Sequence, residues 1–168
     1  RDSDLPVVMD ADALNLLAIE PVQRENWILT PHPGEAARLL NTDTKAIQAD
    51  RFAAVKALQQ KYAGVVVLKG AGSLVAAADS PLALCDAGNP GMASGGMGDV
   101  LTGVIAGLLA QRQTLTSDPA QAMLLAARLG VSVHARAADI AAKEDGERGM
   151  LALDVVDALR EVVNPAQF

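Results

Sequence analysis

The stretch that decides the fold is Gly88-Asn89-Pro90-Gly91-Met92-Ala93-Ser94-Gly95-Gly96-Met97-Gly98-Asp99. Its first eleven residues hold five glycines, and each costs backbone entropy when it is ordered. That cost makes sense where the backbone must come close to a ligand. An apolar helical run, Asp99 to Ala110, follows at once. The free N–H groups of the loop and the positive end of the helix dipole then converge on one spot, an arrangement that binds phosphate. The spacing is neither that of a Walker A loop, which ends in Gly-Lys-Ser/Thr, nor Gly-x-Gly-x-x-Gly. A carboxylate at Asp99, directly after such a loop, repels a phosphate unless it has a task there. Taking a proton from a hydroxyl that attacks the terminal phosphate is such a task. The plainer alternatives are a flexible surface loop and an N-cap role for Asp99.

Outward from this loop, short apolar runs alternate with helical patterns, as in an α/β domain. Leu5–Met9 reads as a buried strand, Asp12–Ile19 as a short helix and Trp27–Leu29 as a second strand. The prolines of Thr30-Pro31-His32-Pro33-Gly34-Glu35 delay the next helix, and Pro33 suits its first position. A longer helix is predicted from Thr44 to Tyr62, capped by Asp43 or Thr44, with Ile47, Ala54, Leu58 and Tyr62 on one stripe and Gly64 as terminator. Val65–Leu68 is a β-branched run that suits a strand covered on both faces. Ser73–Ala77 and Leu82–Cys85 read as a hairpin around Asp79-Ser80-Pro81. Pro119 opens a helix running to about Lys143, and Asp154 caps a last one that stops at Asn164-Pro165.

The chain has 168 residues, the size of one domain, and 51% of them are hydrophobic, which allows a core to be buried. Aromatics make up only 2%, while alanine supplies 32 residues, so the core is built from Ala, Val, Leu and Ile with close backbone approach. A net charge of −6 argues against a nucleic-acid partner. The single cysteine, Cys85, cannot form an internal disulfide, which fits an intracellular protein. The longest apolar run, Val100–Ala110, is too short to span a bilayer. No signal stretch opens the chain, and its start at Arg1 rather than Met reads as part of something longer.

Three further places can carry chemistry. Ligands of open α/β sheets bind beyond the carboxyl ends of strands, so His32 and Glu35 can face a site. The plainer readings are a surface histidine and a first-turn acid. Lys69-Gly70-Ala71-Gly72-Ser73 follows a strand, with two glycines for a tight turn and a cation, although it also suits an ordinary connection. Asp10 and Asp12 can hold Mg²⁺ through water, but Asp12 as helix cap is favoured, with Asn15 reaching toward the site. His134 reads as structural and Cys85 as a small core residue.

Asn89–Asp99 resembles the phosphate-binding signature of the ribokinase-like superfamily. Asp10-Ala-Asp-Ala-Leu-Asn15, Leu29-Thr-Pro-His-Pro-Gly-Glu35 and Leu68-Lys-Gly-Ala-Gly72 agree, in order, with its ADP-dependent NAD(P)H-hydrate dehydratases, which form the C-terminal domain of bifunctional NAD(P)H-hydrate repair enzymes. The match spans residues 1–168 but only the later part of that domain. It implies a mostly parallel central sheet with helices on both faces, the first strands of the fold being absent. It implies that ADP and Mg²⁺ serve the dehydration of (6S)-NADHX or NADPHX to NADH or NADPH, with AMP and phosphate as products.

By this resemblance Lys69, Gly70, Ala71, Gly72 and Ser73 bind nucleotide, Ser73 standing where threonine is frequent. So do Asn89, Pro90, Gly91, Met92, Ala93, Ser94, Gly95, Gly96, Met97 and Gly98. Thr30, Pro31, His32, Pro33, Gly34 and Glu35 hold the hydrate, and Asp99 is catalytic and touches it. The metal ligands stay open. A cytoplasmic homo-oligomer with an upstream epimerase domain is expected, with no nucleic-acid or membrane partner. Two rivals remain: a ribokinase-like kinase of a small alcohol, and a nucleotide-binding fragment that is inactive alone.

Overall fold

The β-branched run Val65–Leu68 forms the middle of a five-stranded sheet, with all four residues buried. The computed structural model describes residues 4–164. In chain order these form β1 (Val7–Met9), α1 (Ala11–Ile19), β2 (Trp27–Leu29), α2 (Pro33–Leu40), α3 (Thr44–Ala49), α4 (Arg51–Tyr62), β3 (Val65–Leu68), β4 (Ser73–Ala77) and β5 (Ala83–Cys85). A 3₁₀ turn (Pro90–Met92), α5 (Met97–Ala110), α6 (Arg112–Leu115), α7 (Pro119–Asp145) and α8 (Ala152–Val163) follow. The spatial order of the strands is β1-β2-β3-β4-β5. The first three pair in parallel, and the predicted hairpin β4–β5 continues the sheet in antiparallel pairing. Only β4 therefore runs against the others.

Alternation along the strands divides the core in two. Leu29, Val66, Leu68, Leu74 and Ala76 face α1 to α4, where Leu14, Leu39, Ile47, Leu58 and Tyr62 complete the layer. Ile28, Val65, Val67 and Val75 face α5 and α7 through Leu101, Ile105, Ala126 and Ala127. Small residues let α7 lie close to the sheet, as the alanine content implies. Helices thus cover both faces, as expected. Among the described residues no helix is long and apolar enough to cross a membrane.

Four local expectations change. The first strand starts at Val7 rather than Leu5, since Pro6 has no N–H to give a ladder. The long helix breaks at Asp50, which leaves helical geometry (φ −146°, ψ 85°) so that its carboxylate can accept from Ala53 N–H at 2.8 Å. Asp43 caps the first piece, as expected. Asp12 does not cap a helix: α1 begins at Ala11, which puts Asp12 in its first turn. Asp154 likewise sits three residues past the N-cap Leu151, whose N–H it accepts at 2.7 Å. The expected stop at Pro165 lies outside the described residues.

Candidate active site

The parallel strands β1, β2 and β3 end side by side, and the residues that follow them form a polar network at their carboxyl ends. Asp10, after β1, accepts a hydrogen bond from Lys69, after β3, with Nζ 2.7 Å from Oδ1. Its Oδ2 accepts from the Thr102 hydroxyl of α5 at 3.1 Å. Glu35, from the first turn of α2, brings Oε2 to 3.9 Å from the same ammonium. All three charged side chains are largely buried, at 10%, 19% and 7% exposure for Asp10, Lys69 and Glu35. Burial alone pushes the Asp10 carboxyl up. The Lys69 ammonium, the Ala11 amide and the Thr102 hydroxyl together outweigh it and hold the group below its ordinary value.

Pro33 opens α2, as expected, and His32 is its N-cap. The His32 Nδ1 accepts from Gly34 N–H at 3.0 Å and Glu35 N–H at 3.4 Å. The other ring nitrogen, Nε2, then carries the proton and is the donor, and stands 3.6 Å from Glu35 Oε1. Glu35 Oε2 returns to the His32 N–H at 2.8 Å, closing a capping box. Half of the His32 side chain remains exposed. Thr30, in contrast, is fully buried and donates its hydroxyl to the Met9 carbonyl at 3.2 Å. It ties β2 to β1.

The Lys69–Ser73 turn is held from behind. The Arg51 guanidinium donates to the carbonyls of Ala71 (2.6 Å), Leu68 (3.3 Å) and Lys69 (3.4 Å), while Lys69 N–H reaches the Pro31 carbonyl at 2.9 Å. Ser73 Oγ closes its own turn on the Gly70 carbonyl at 3.5 Å. Sequence reasoning missed Arg51, because nothing local distinguishes it from a helix-surface cation.

The glycine loop enters α5 through Gly96, which is left-handed at φ 87° and serves as N-cap without any side-chain hydrogen bond. The first helical bond runs from Val100 N–H to the Gly96 carbonyl. The N–H groups of Met97, Gly98 and Asp99 are therefore open at the positive end of a 14-residue helix. Gly98 packs so close to the network that an added Cβ would lie 3.1 Å from Lys69 Nζ and 3.2 Å from Asp10 Oδ2. The ammonium thus stands beside the open amides. Nothing lies within 4 Å of a Cβ built on Gly95.

A cleft of about 660 Å³ opens here, large enough for a nucleotide. Its lining includes His32, Pro33, Lys69 through Ser73, Asn89, Pro90, Met92, Ala93, Ser94, Met97 and Gly98. Of the expected nucleotide residues, Gly91, Gly95 and Gly96 are not in the wall, and of the expected substrate residues Thr30, Pro31, Gly34 and Glu35 are not. Asp99 is exposed, in the first turn of α5, and is also outside the wall. It is not the helix cap. Asp12 stays exposed and is bonded by Asn15 at 3.5 Å, so neither joins the network.

Two residues read as structural line the cleft. Cys85 is partly buried at the end of β5. His134, on α7, is 95% buried, with 5% exposure. Desolvation, aided by the Lys69 charge and opposed by a hydrogen bond to the Met97 carbonyl, pulls its pKa down to about 4. Its Nε2 has no hydrogen-bond partner. Nothing in the sequence around His134 signals this, since its neighbours are the alanines of a packed helix.

The sequence model of the NAD(P)H-hydrate dehydratase family matches residues 1–161. The chain belongs to this family. A bifunctional NAD(P)H-hydrate repair enzyme of Coxiella burnetii is 56% identical over 98% of the chain and 32% of its own length. Its counterpart in Vibrio cholerae is 53% identical over 95% of the chain and 31% of its own length. The crystal structure of an ADP/ATP-dependent NAD(P)H-hydrate dehydratase from Bacillus subtilis, co-crystallised with ATP and Mg²⁺, superposes with a TM-score of 0.79 at 33% identity. That match covers 95% of this chain and 56% of the other. A ribokinase-like protein of Enterococcus faecalis shares the fold at a TM-score of 0.75 and 28% identity. The chain spans about a third of the length of these curated relatives.

Proposed function

We propose that this chain supplies the catalytic half of a dehydratase that uses ADP to convert (6S)-NADHX or NADPHX to NADH or NADPH. The observation that carries this reading is the uncapped N-terminus of α5 with the Lys69 ammonium beside it. Open amides, a helix dipole and a cation together suit the terminal phosphate of a nucleotide. The family and the names of the relatives support the substrates.

The chemistry follows from leaving groups. Hydroxide leaves poorly and phosphate leaves well. Asp99, three residues past Gly96, takes the proton of the hydrate's hydroxyl as its oxygen attacks the β-phosphorus of ADP. AMP departs, and the amides of Met97 and Gly98 hold the transferring oxygens. The carbon–oxygen bond of the phosphate ester then breaks as the ring nitrogen donates its electron pair, and the neighbouring carbon loses a proton. His32 Nε2–H is the donor available to the hydrate, since Nδ1 is occupied by the cap.

Among the described residues no group of three or more His, Cys, Asp or Glu can hold a metal. Asp10 is committed to Lys69 and Thr102, and Glu35 to His32. The residues present do not form a cage for Mg²⁺, which suits an ion carried by the phosphates and water, and no step here is routed through it. The bifunctional relatives support an epimerase-like domain elsewhere in the whole protein. A cytoplasmic homo-oligomer is part of the same proposal.

The test is to incubate the full-length protein with ADP and NADHX and follow the absorbance of the reduced nicotinamide. Release of NADH with AMP and phosphate is expected. Accumulation of a stable phosphate ester without NADH would mean a kinase instead. An Asp99→Ala variant that kept near-full turnover would remove Asp99 from its role.

A further inference from the structure

The glycine loop is shaped from α7, by residues outside the motifs that mark the site. Asp139 accepts the Gly88 N–H at Oδ2 and the Asn89 Nδ2 at Oδ1, both at 3.0 Å. Asn89 also gives Nδ2 to the Ala138 carbonyl at 3.0 Å and takes the Gly91 N–H on Oδ1 at 3.0 Å. Every polar atom of the Asn89 side chain is thereby used within the protein. It braces the loop from the cleft wall and offers a nucleotide no free donor. At the other end of the loop, Met97 and His134 of α7 both line the cleft. In between, Ser94 Oγ donates to the Met150 carbonyl at 3.0 Å.

We infer that Asp139 is a positioning residue for nucleotide binding: its carboxylate holds the start of the Gly88–Met97 loop in shape without touching the ligand. The inference rests on the ADP site proposed above. Asp139 is absent from the cleft wall, so its effect must pass through Gly88 and Asn89. Two N–H donors converge on it from residues about fifty positions away, and a carboxylate alone accepts both without presenting a donor of its own. An asparagine would turn its NH₂ toward one of them. A loop with four glycines has many alternative shapes in the free state. Holding one of them beforehand removes an ordering cost that each nucleotide would otherwise meet.

Asp139→Asn in the full-length protein tests this through the two Michaelis constants. The expected result is an ADP KM raised about tenfold, the scale of one lost charge-assisted bond, with the hydrate KM within about twofold of wild type. An ADP KM that stays put in the folded variant, or two KM values that rise together, would overturn the inference. If the variant does not fold, amide exchange in the wild-type protein decides. The Gly88 and Gly91 amides are expected to be protected before ADP is added, and exchange at the rate of open chain would defeat the claim. Absence of any ADP-dependent turnover in wild type would defeat the functional reading instead, and leaves the exchange measurement to judge Asp139 by itself.

Discussion

Lys69 and Asp10, 59 residues apart in the chain, meet at 2.7 Å and tie the end of β3 to the end of β1 across β2. The pair fixes the cation beside the open amides of α5, because the other Asp10 oxygen holds Thr102 of that helix. A lysine held in this way has less rotamer freedom left to lose than one free to swing.

Asp10→Asn is expected to cost about 2 kcal/mol of stability at neutral pH, the scale of hydrogen bonds to charged groups, and to lower turnover. Chemical denaturation across pH checks the origin. The Asp10 carboxyl is held below its ordinary value of 3.8, so its contribution is present above that pH. It fades as pH falls through the lower folded value. Wild type should therefore lose this increment in acid while the variant, already without it, shows a shallower loss.

His134 acts in a different window. Its pKa is depressed from 6.5 to about 4 in the folded protein, so between those values the unfolded chain binds a proton that the native state refuses. Stability should fall as pH drops from 6.5 toward 4, by at most about 3 kcal/mol, and be level above 6.5 as far as this group decides. His134→Gln should flatten that slope in denaturant titrations. An unchanged slope would mean that the ring is not desolvated as found.

Arg51→Lys should raise the ADP KM about fivefold to tenfold while the protein stays folded. A single ammonium cannot serve the carbonyls of Leu68, Lys69 and Ala71 as the planar fork does. Steady-state kinetics with each substrate varied in turn provides the check.

Gly98→Ala adds a methyl that needs no unusual backbone angle yet crowds Lys69 Nζ and Asp10 Oδ2. Turnover should drop about tenfold or more, because small displacements of a positioned group are costly, with the thermal midpoint moved by only a few degrees. A large fall in the midpoint would show instead that the site of strain is the packing of α5.

Much of the fold was legible where the deciding interactions are local. Val65–Leu68, the hairpin after Ser73, Pro33 at the start of α2 and Asp43 as a cap all depend on neighbours within a few residues. The break at Asp50 was not legible, since the stripe of Ile47, Ala54 and Leu58 continues across it. The pattern records which side is buried, while the carboxylate's bond to Ala53 N–H decides that the helix restarts. Lys69, His32 and the glycine loop stood out by composition and position. Arg51, His134 and Asp139 did not, because an arginine, a histidine and an aspartate on helices carry no mark of the loop they will meet.

The sequence by itself determined that strands alternate with helices, that a glycine-dense loop opens an apolar helix, and which family pattern its motifs follow. These are properties of residue type and spacing along the chain. Only the tertiary structure decided that Asp10 neutralises Lys69, that the Thr30 hydroxyl bonds β1 at Met9, and that α7 grips the loop at Gly88 and Asn89. Those outcomes depend on distances between residues tens of positions apart, which are set when the two faces of the sheet are buried together.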